Sequence, residues 1–467
     1  MRYVSTRGRA PAWGFRAVTL AGLASDGGLY VPDAWPTLSK AEIAALAGLS
    51  YVETAVRVMM PFVGDALTED ELRSLCAQAY GRFAHDAVTP LVQLDHRHWL
   101  LELFHGPTLA FKDVALQLLG LLFERFLAGT DQKLTVIGAT SGDTGSAAID
   151  ALAGRDGVEV FMLHPKGRVS EVQRRQMTTV LAPNVHNIAV GGASFDDTQA
   201  LVKAMFNAQA RGGGPLAHLT LSAVNSINWA RLMAQIVYYF YAAVRLGGPD
   251  REIAFSVPTG NFGDVFAGYA AARMGLPVAK LIVATNVNDI LHRALSAGDY
   301  SAHGVVATPT PSMDIQVSSN FERLLFDLNG GDGGALAGQM AGFEASKAMQ
   351  LTNAQREGAS ALLVSARVDV DDMAMAMRWA YDRAGQVIDP HTAIGLSAAR
   401  SSDLDVPVVT LATAHPAKFP DAVERATGVR PPLPSRLGDL FERHERYETL
   451  PASFDAVAGY IAETAAR

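Results

Sequence analysis

The chain of 467 residues carries a formal net charge of −8, with 49% apolar and 18% charged residues and a single cysteine, Cys76. So long a chain predicts two or three domains rather than one small core, and a mildly acidic balance with no block of lysine and arginine argues against nucleic acid or an anionic membrane as the main partner. One thiol excludes an internal disulfide framework and metal sites built on cysteine clusters, and it fits a reducing cytosol.

No long apolar run follows a basic start at the N-terminus, so no secretory signal is read there. Residues up to about 94 form a leading region. Within it, 29–32 reads as a strand after the Asp26-Gly27-Gly28 turn, and helix-like runs at 40–46 and 68–83 begin close to Ser or Thr caps. From about residue 95 strands and helices alternate, the mark of an α/β domain with a mainly parallel sheet. Strands are expected at 99–103, 134–137, 158–163, 185–190, 253–257, 281–284 and 406–411, with helices such as 170–179, 194–209 and 229–244 between them. The run 232–244 is the most hydrophobic, but it is too short for a membrane span and holds Gln235, so it reads as a buried core helix. The chain is therefore expected to be soluble and cytoplasmic. Residues 298–358 are less regular, and Asn329-Gly330-Gly331-Asp332-Gly333-Gly334 reads as a flexible surface loop. The tail after Arg430 opens on Pro431-Pro432-Leu433-Pro434 and continues as short helices.

Lys112 stands out because it lies between Phe111 and Asp113 in an apolar segment entered through the turn His105-Gly106-Pro107. A lysine held among apolar neighbours loses solvation of its charged form and becomes a usable nucleophile or Schiff-base partner. The alternative is an amphipathic helix whose lysine snorkels to solvent. Two strand–loop–helix junctions can cradle an anion on unpaired backbone N–H groups. One is Pro258-Thr259-Gly260-Asn261-Phe262-Gly263-Asp264 after the 253–257 strand. The other is Gly138-Ala139-Thr140-Ser141-Gly142-Asp143-Thr144-Gly145, where Ser141 or Asp143 can equally be a plain N-cap. The first junction matches neither a Rossmann fingerprint nor a P-loop and can be an ordinary tight turn. Asn225, Ser226 and Arg231 can converge on an oxyanion or belong to a capped helix with an incidental arginine. Thr413 lies just past a buried strand, where α/β sheets bind ligands, and His415 beside Pro416 reads as structural or as a general base. A lysine, a phosphate cradle and a ring-nitrogen partner together suit one cofactor, pyridoxal 5′-phosphate.

Residues 104–113 with Lys112 resemble the cofactor-lysine motif of the threonine synthase family, and 139–145, 225–231 and 258–264 resemble that family's other motifs in the same order. Arg2-Tyr3-Val4-Ser5-Thr6-Arg7-Gly8 and residues 22–30 are similar to the N-terminal region of its bacterial and fungal subgroup. The resemblance covers nearly the whole chain. It implies the tryptophan-synthase-β-like α/β fold of fold type II pyridoxal phosphate enzymes. Two α/β lobes are then expected, a large cofactor-binding lobe at 95–130 and 225–430 and a smaller mobile one at 131–224, with an N-terminal domain at 1–94 and a helical tail at 431–467. It further implies that Lys112 carries the cofactor as a Schiff base and that Gly260, Asn261, Phe262, Gly263 and Asp264 wrap its phosphate. Thr413 would then face the pyridine nitrogen. Ser141, Gly142, Asp143 and Thr144 would hold the substrate carboxylate, and Asn225, Ser226 and Arg231 the substrate phosphate. Asp143 stands where many wider relatives carry asparagine.

The implied reaction converts O-phospho-L-homoserine and water to L-threonine and phosphate, with Lys112 as the main base. The implied enzyme is a monomer or homodimer, needs no metal, and has no membrane or nucleic-acid partner. The nearest rival is the same fold acting as a phospho-lyase or a serine/threonine dehydratase. A rival of another class is a non-catalytic binder of a phosphorylated metabolite.

Overall fold

In the computed structural model, residues 1–210 and 212–465 are described. Arg211, in the expected smaller lobe, and residues 466–467, in the expected tail, lie outside the described residues. The chain divides into two units. One comprises Met1–Val18, Leu23–Ala115 and Ser226–Pro432, the other Thr19–Gly22, Leu116–Asn225 and Leu433–Arg467.

The first unit begins with a short antiparallel pair, β1 (Tyr3–Ser5) and β2 (Tyr30–Pro32). Thr6 Oγ1 donates to Glu322 Oε1 at 2.7 Å and Arg7 pairs with the same carboxylate at 3.1 Å, so the N-terminal motif is fastened to the Phe321–Leu328 helix. Next come β3 (Leu91–Gln93) and β4 (His98–Glu102), which pair antiparallel. The Glu69–Tyr80 helix buries Cys76, whose thiol is pushed up to about 12 by burial and the nearby Glu53 charge.

The second unit contributes β5 (Leu134–Ala139), β6 (Val158–Pro165), β7 (Val185–Gly191) and the two-residue β8 (Leu221–Ser222). The first unit resumes with β9 (Ile253–Pro258), β10 (Val278–Thr285), β11 (Leu363–Arg367) and β12 (Val408–Ala412), and the tail supplies β13 (Glu448–Pro451) to the second.

The sheet of the first unit runs β11-β10-β9-β12-β4-β3, parallel throughout except for β3. Every residue of β9 and β12 is buried, as expected of strands covered on both faces. The Pro390–Arg400 helix lies close against them: Ser256 Oγ donates to the Gly395 carbonyl at 2.7 Å, and a Cβ on Gly395 would sit 3.0 Å from Pro258 and Thr410. The Trp229–Arg245 helix is buried from Trp229 through Val244, the core helix its composition predicts. The sheet of the second unit runs β13-β7-β6-β5-β8, all parallel.

Two expectations fail. Within 298–358 the part up to residue 320 is irregular apart from the Pro311–Met313 turn, but helices follow at Phe321–Leu328, Gly333–Ser346 and Asn353–Ser360. The glycine-rich run expected to be a flexible loop is the turn between the first two. Gly330 and Gly331 take φ values of 66° and 82° to reverse the chain, and Asp332 then caps the next helix by accepting from the Ala335 N–H at 2.9 Å. The tail is not helical throughout either, because β13 extends the edge of β7. Its side chains are mostly exposed, so the strand is set by main-chain pairing and leaves no apolar signature. Glu445, just before it, accepts from Thr178 Oγ1 at 2.7 Å and pairs with Arg174.

Candidate functional site

Lys112 is the first residue of the Lys112–Leu127 helix, and what precedes it fixes where it starts. Thr108 donates its N–H and its hydroxyl to the Asp113 carboxylate at 2.8 and 2.7 Å, closing the turn on itself. Gly106 has to lack a side chain, since a Cβ there would meet Asp113 Oδ2 at 2.6 Å. The same segment runs along the end of β12: Leu103 N–H donates to Ala412 O (3.0 Å), Phe111 N–H to Thr413 O (2.8 Å) and His415 N–H to Leu109 O (3.0 Å). Buried Lys418 donates its Nζ to Thr108 O at 2.8 Å. Lys112 is thereby brought beside Thr413. It is 8% exposed, with its Nζ 4.8 Å from the Phe111 ring centroid, so it does not snorkel. Thr413 is buried too. His415 caps the Pro416–Lys418 turn through its Nδ1, a structural use of that ring nitrogen.

The second element is the junction from β9 into the Gly263–Arg273 helix. Phe262 occupies its N-cap in the left-handed region (φ 61°), and no side chain caps the end. The loop is held from outside: Ser318 Oγ donates to Gly260 O at 2.8 Å, and Asn320 donates to Asn261 O from its N–H (3.1 Å) and its Nδ2 (3.0 Å). A Cβ on Gly263 would lie 3.3 Å from the Asn320 amide and 3.4 Å from the Ser226 Cβ, so the glycine lets the Ser226 loop approach. An uncapped helix start flanked by glycine is a fitting anion cradle. The Asp264 carboxylate, however, turns away to accept from the Tyr238 hydroxyl, while the Tyr239 hydroxyl donates to the Asp264 carbonyl at 2.8 Å. Burial pushes this carboxyl up to about 7, against the opposing pull of the two tyrosines and the charges of Lys112 and Arg231. What Asp264 offers an anion is its backbone N–H.

Arg231 is buried on the Trp229–Arg245 helix, its guanidinium pushed down to about 10 by burial while Tyr238 and Asp264 oppose the shift. Asn228 caps that helix by accepting from Ala230 N–H at 3.0 Å. Ser226 is half-buried. The first unit thus brings together Lys112, Thr413, the 260–264 loop, Ser226 and Arg231.

Ser141, Gly142, Asp143, Thr144 and Asn225 belong to the second unit, where Asn225 is exposed. Neither Ser141 nor Asp143 is the N-cap of the Asp143–Leu152 helix. That position is Gly142, at φ 137° and ψ −66°, which has no side chain to cap the helix. Only glycine adopts this backbone readily. The loop is shaped by Thr140 Oγ1, which accepts from the N–H groups of Gly142 (2.9 Å) and Gly145 (2.8 Å), and Gln173 Nε2 donates to Asp143 Oδ1 at 2.8 Å. Ser141 and Thr144 remain half-buried beside a helix start open to an anion.

Sequence reasoning missed the supports: Asp113, Lys418, Ser318, Asn320, Arg323 and the Tyr238–Tyr239 pair. The only local signal was the tyrosine pair on a mainly apolar, buried helix, since buried phenols need partners.

Comparison with known proteins completes the picture. The family model described as "Pyridoxal-phosphate dependent enzyme" matches residues 83–413, "Threonine synthase N terminus" matches 2–80 and "Threonine synthase, C-terminal" matches 392–461. The chain is 54% identical over 466 residues to a threonine synthase of Pseudomonas aeruginosa, covering 99% of this chain and 98% of the relative. A crystal structure of threonine synthase from Brucella melitensis with bound pyridoxal phosphate superposes with a TM-score of 0.95 at 50% identity, covering 99% of both chains. The yeast threonine synthase structure superposes with a TM-score of 0.92 at 39% identity, covering 100% of this chain and 99% of that one.

Proposed function

Since the chain belongs to the threonine synthase family of pyridoxal-phosphate-dependent enzymes, we propose that its substrate is O-phospho-L-homoserine, converted with water to L-threonine and phosphate. The observation that carries this reading is the bond from Phe111 N–H to Thr413 O, which sets a buried lysine beside a strand-end hydroxyl. The residues present suit the cofactor. An uncapped helix start with Gly260 and Gly263 offers N–H groups to its phosphate, Lys112 offers an amine to its aldehyde, and Thr413 offers a neutral hydroxyl to its ring nitrogen. When bound, pyridoxal phosphate supplies the electron sink that makes protons on an amino acid's carbons acidic.

The remaining roles fall to the chain. Lys112 Nζ would take the Cα proton and return one to Cα at the end. It would also carry a Cβ proton to Cγ, where the C–O bond to phosphate breaks, while water adds its hydroxyl to Cβ and its remaining proton leaves with the phosphate. Backbone N–H groups from Gly260 to Asp264 and the side chain of Asn261 hold the cofactor phosphate. Arg231, with Ser226 and Asn225, holds the substrate phosphate, where a guanidinium suits an oxyanion. Ser141, Gly142, Asp143 and Thr144 hold the substrate carboxylate, with Asp143 oriented by Gln173. We place the enzyme in the cytoplasm as a monomer or homodimer without membrane or nucleic-acid partners. No helix among the described residues is long and apolar enough to cross a membrane.

The rival is a lyase on the same fold that releases 2-oxobutyrate. Incubating the purified chain with O-phospho-L-homoserine, with and without added pyridoxal phosphate, separates the two. Threonine and phosphate in equal amounts are expected, and 2-oxobutyrate as the main product would overturn the assignment. Lys112→Ala is expected to abolish turnover and the borohydride-sensitive absorbance near the visible edge.

A further inference from the structure

Arg323 is fully buried, and its side-chain acceptors are neutral. Its Nε donates to Tyr30 O at 3.0 Å, its Nη1 to Asn320 Oδ1, and its Nη2 to Ile227 O at 2.5 Å. Its guanidinium lies 5.8 Å from the Trp229 ring centroid. The neighbouring Glu322 is engaged by Thr6 and Arg7. Burying a full charge against carbonyls and an amide is costly, as for any poorly compensated ion. Burial accordingly pushes this guanidinium down to about 9.

The three acceptors lie on three segments that matter to the site. Tyr30 belongs to the N-terminal hairpin. Ile227 follows Ser226 directly, in the loop assigned to the substrate phosphate. Asn320 holds Asn261 O through two bonds, in the loop assigned to the cofactor phosphate. The fork geometry of one guanidinium fixes the directions of its donors together, so movement of one loop is transmitted to the other. We propose that Arg323 is a positioning residue that sets the spacing of the two phosphate-binding loops. This rests on the functional reading above.

The test uses the full chain with two readouts: a fluorescence titration of the cofactor-stripped protein with pyridoxal phosphate, and competitive inhibition of the cofactor-loaded enzyme by inorganic phosphate. Arg323→Lys keeps the charge and loses the fork, while Asn320→Ala removes the Arg323–Asn320 bond and the side-chain bond to Asn261 O, leaving the bonds of Arg323 to Tyr30 O and Ile227 O in place. Arg323→Lys is expected to weaken both ligands by about tenfold and to raise KM far more than it lowers kcat. Asn320→Ala should weaken pyridoxal phosphate by about tenfold while leaving the phosphate inhibition constant within about twofold. Arg323→Lys with a lowered melting temperature but both constants unchanged would reduce the residue to a structural staple and overturn the proposal. Equal loosening of both ligands in Asn320→Ala would overturn it as well. A wild-type chain that binds no pyridoxal phosphate overturns the functional reading itself, and that result is in hand before any variant is made.

Discussion

Asp264 is a carboxylic acid placed where its charge is disfavoured, between two tyrosines and within reach of Lys112 and Arg231. Its folded value near 7 lies above the ordinary 3.8, so the folded chain holds this proton more tightly than the unfolded one. The resulting stabilisation is fully present below about pH 4 and is lost as the pH rises through about 7. Denaturant titrations of the cofactor-free chain across that window should give a falling contribution that Asp264→Asn removes, and an unchanged slope in the variant would refute the assignment. Lys112 and Thr413 were legible because each announces itself locally, a lysine in an apolar run and a hydroxyl at a buried strand's end. The direction of the Asp264 side chain was not legible, because its partners lie on another helix, 26 and 25 residues away in sequence.

Among the elements, strands buried on both faces declared themselves by continuous apolar composition, and β9 and β12 lie close to where they were expected. The stretch between Pro311 and Leu328 did not, although it provides Ser318, Asn320, Glu322 and Arg323. Its value lies in polar side chains that reach distant backbone atoms, and no periodicity encodes such partners. The glycine-rich run 329–334 was misread for a related reason, since the same residue types make a mobile loop and a tight helix-to-helix reversal. Asp332→Ala distinguishes the two: loss of an N-cap should cost about 1 kcal/mol, measured by chemical denaturation, whereas a flexible loop would give almost no change.

At the scale of the whole molecule, strand order was hidden because neighbours in a sheet are remote in the chain. Residues 408–412 lie between 98–102 and 253–258, an arrangement that only the assembled core can select. The second unit shows the same non-local construction, with its sheet closed at one edge by β13. A fragment comprising residues 116–225 alone should therefore expose the edge of β7 and self-associate in sedimentation experiments. Joining residues 433–465 to it through a linker should restore a monomer. A fragment that is monomeric without the tail would show that the strand is dispensable.

That last strand also sets a clock. About 260 residues separate the edge of β7 from its partner, and at roughly 5–20 residues per second a ribosome needs tens of seconds to bridge them. Throughout that interval the newborn chain carries an open edge that no later speed of folding can close, so its exposure to chaperones and to other nascent chains is fixed by translation rate.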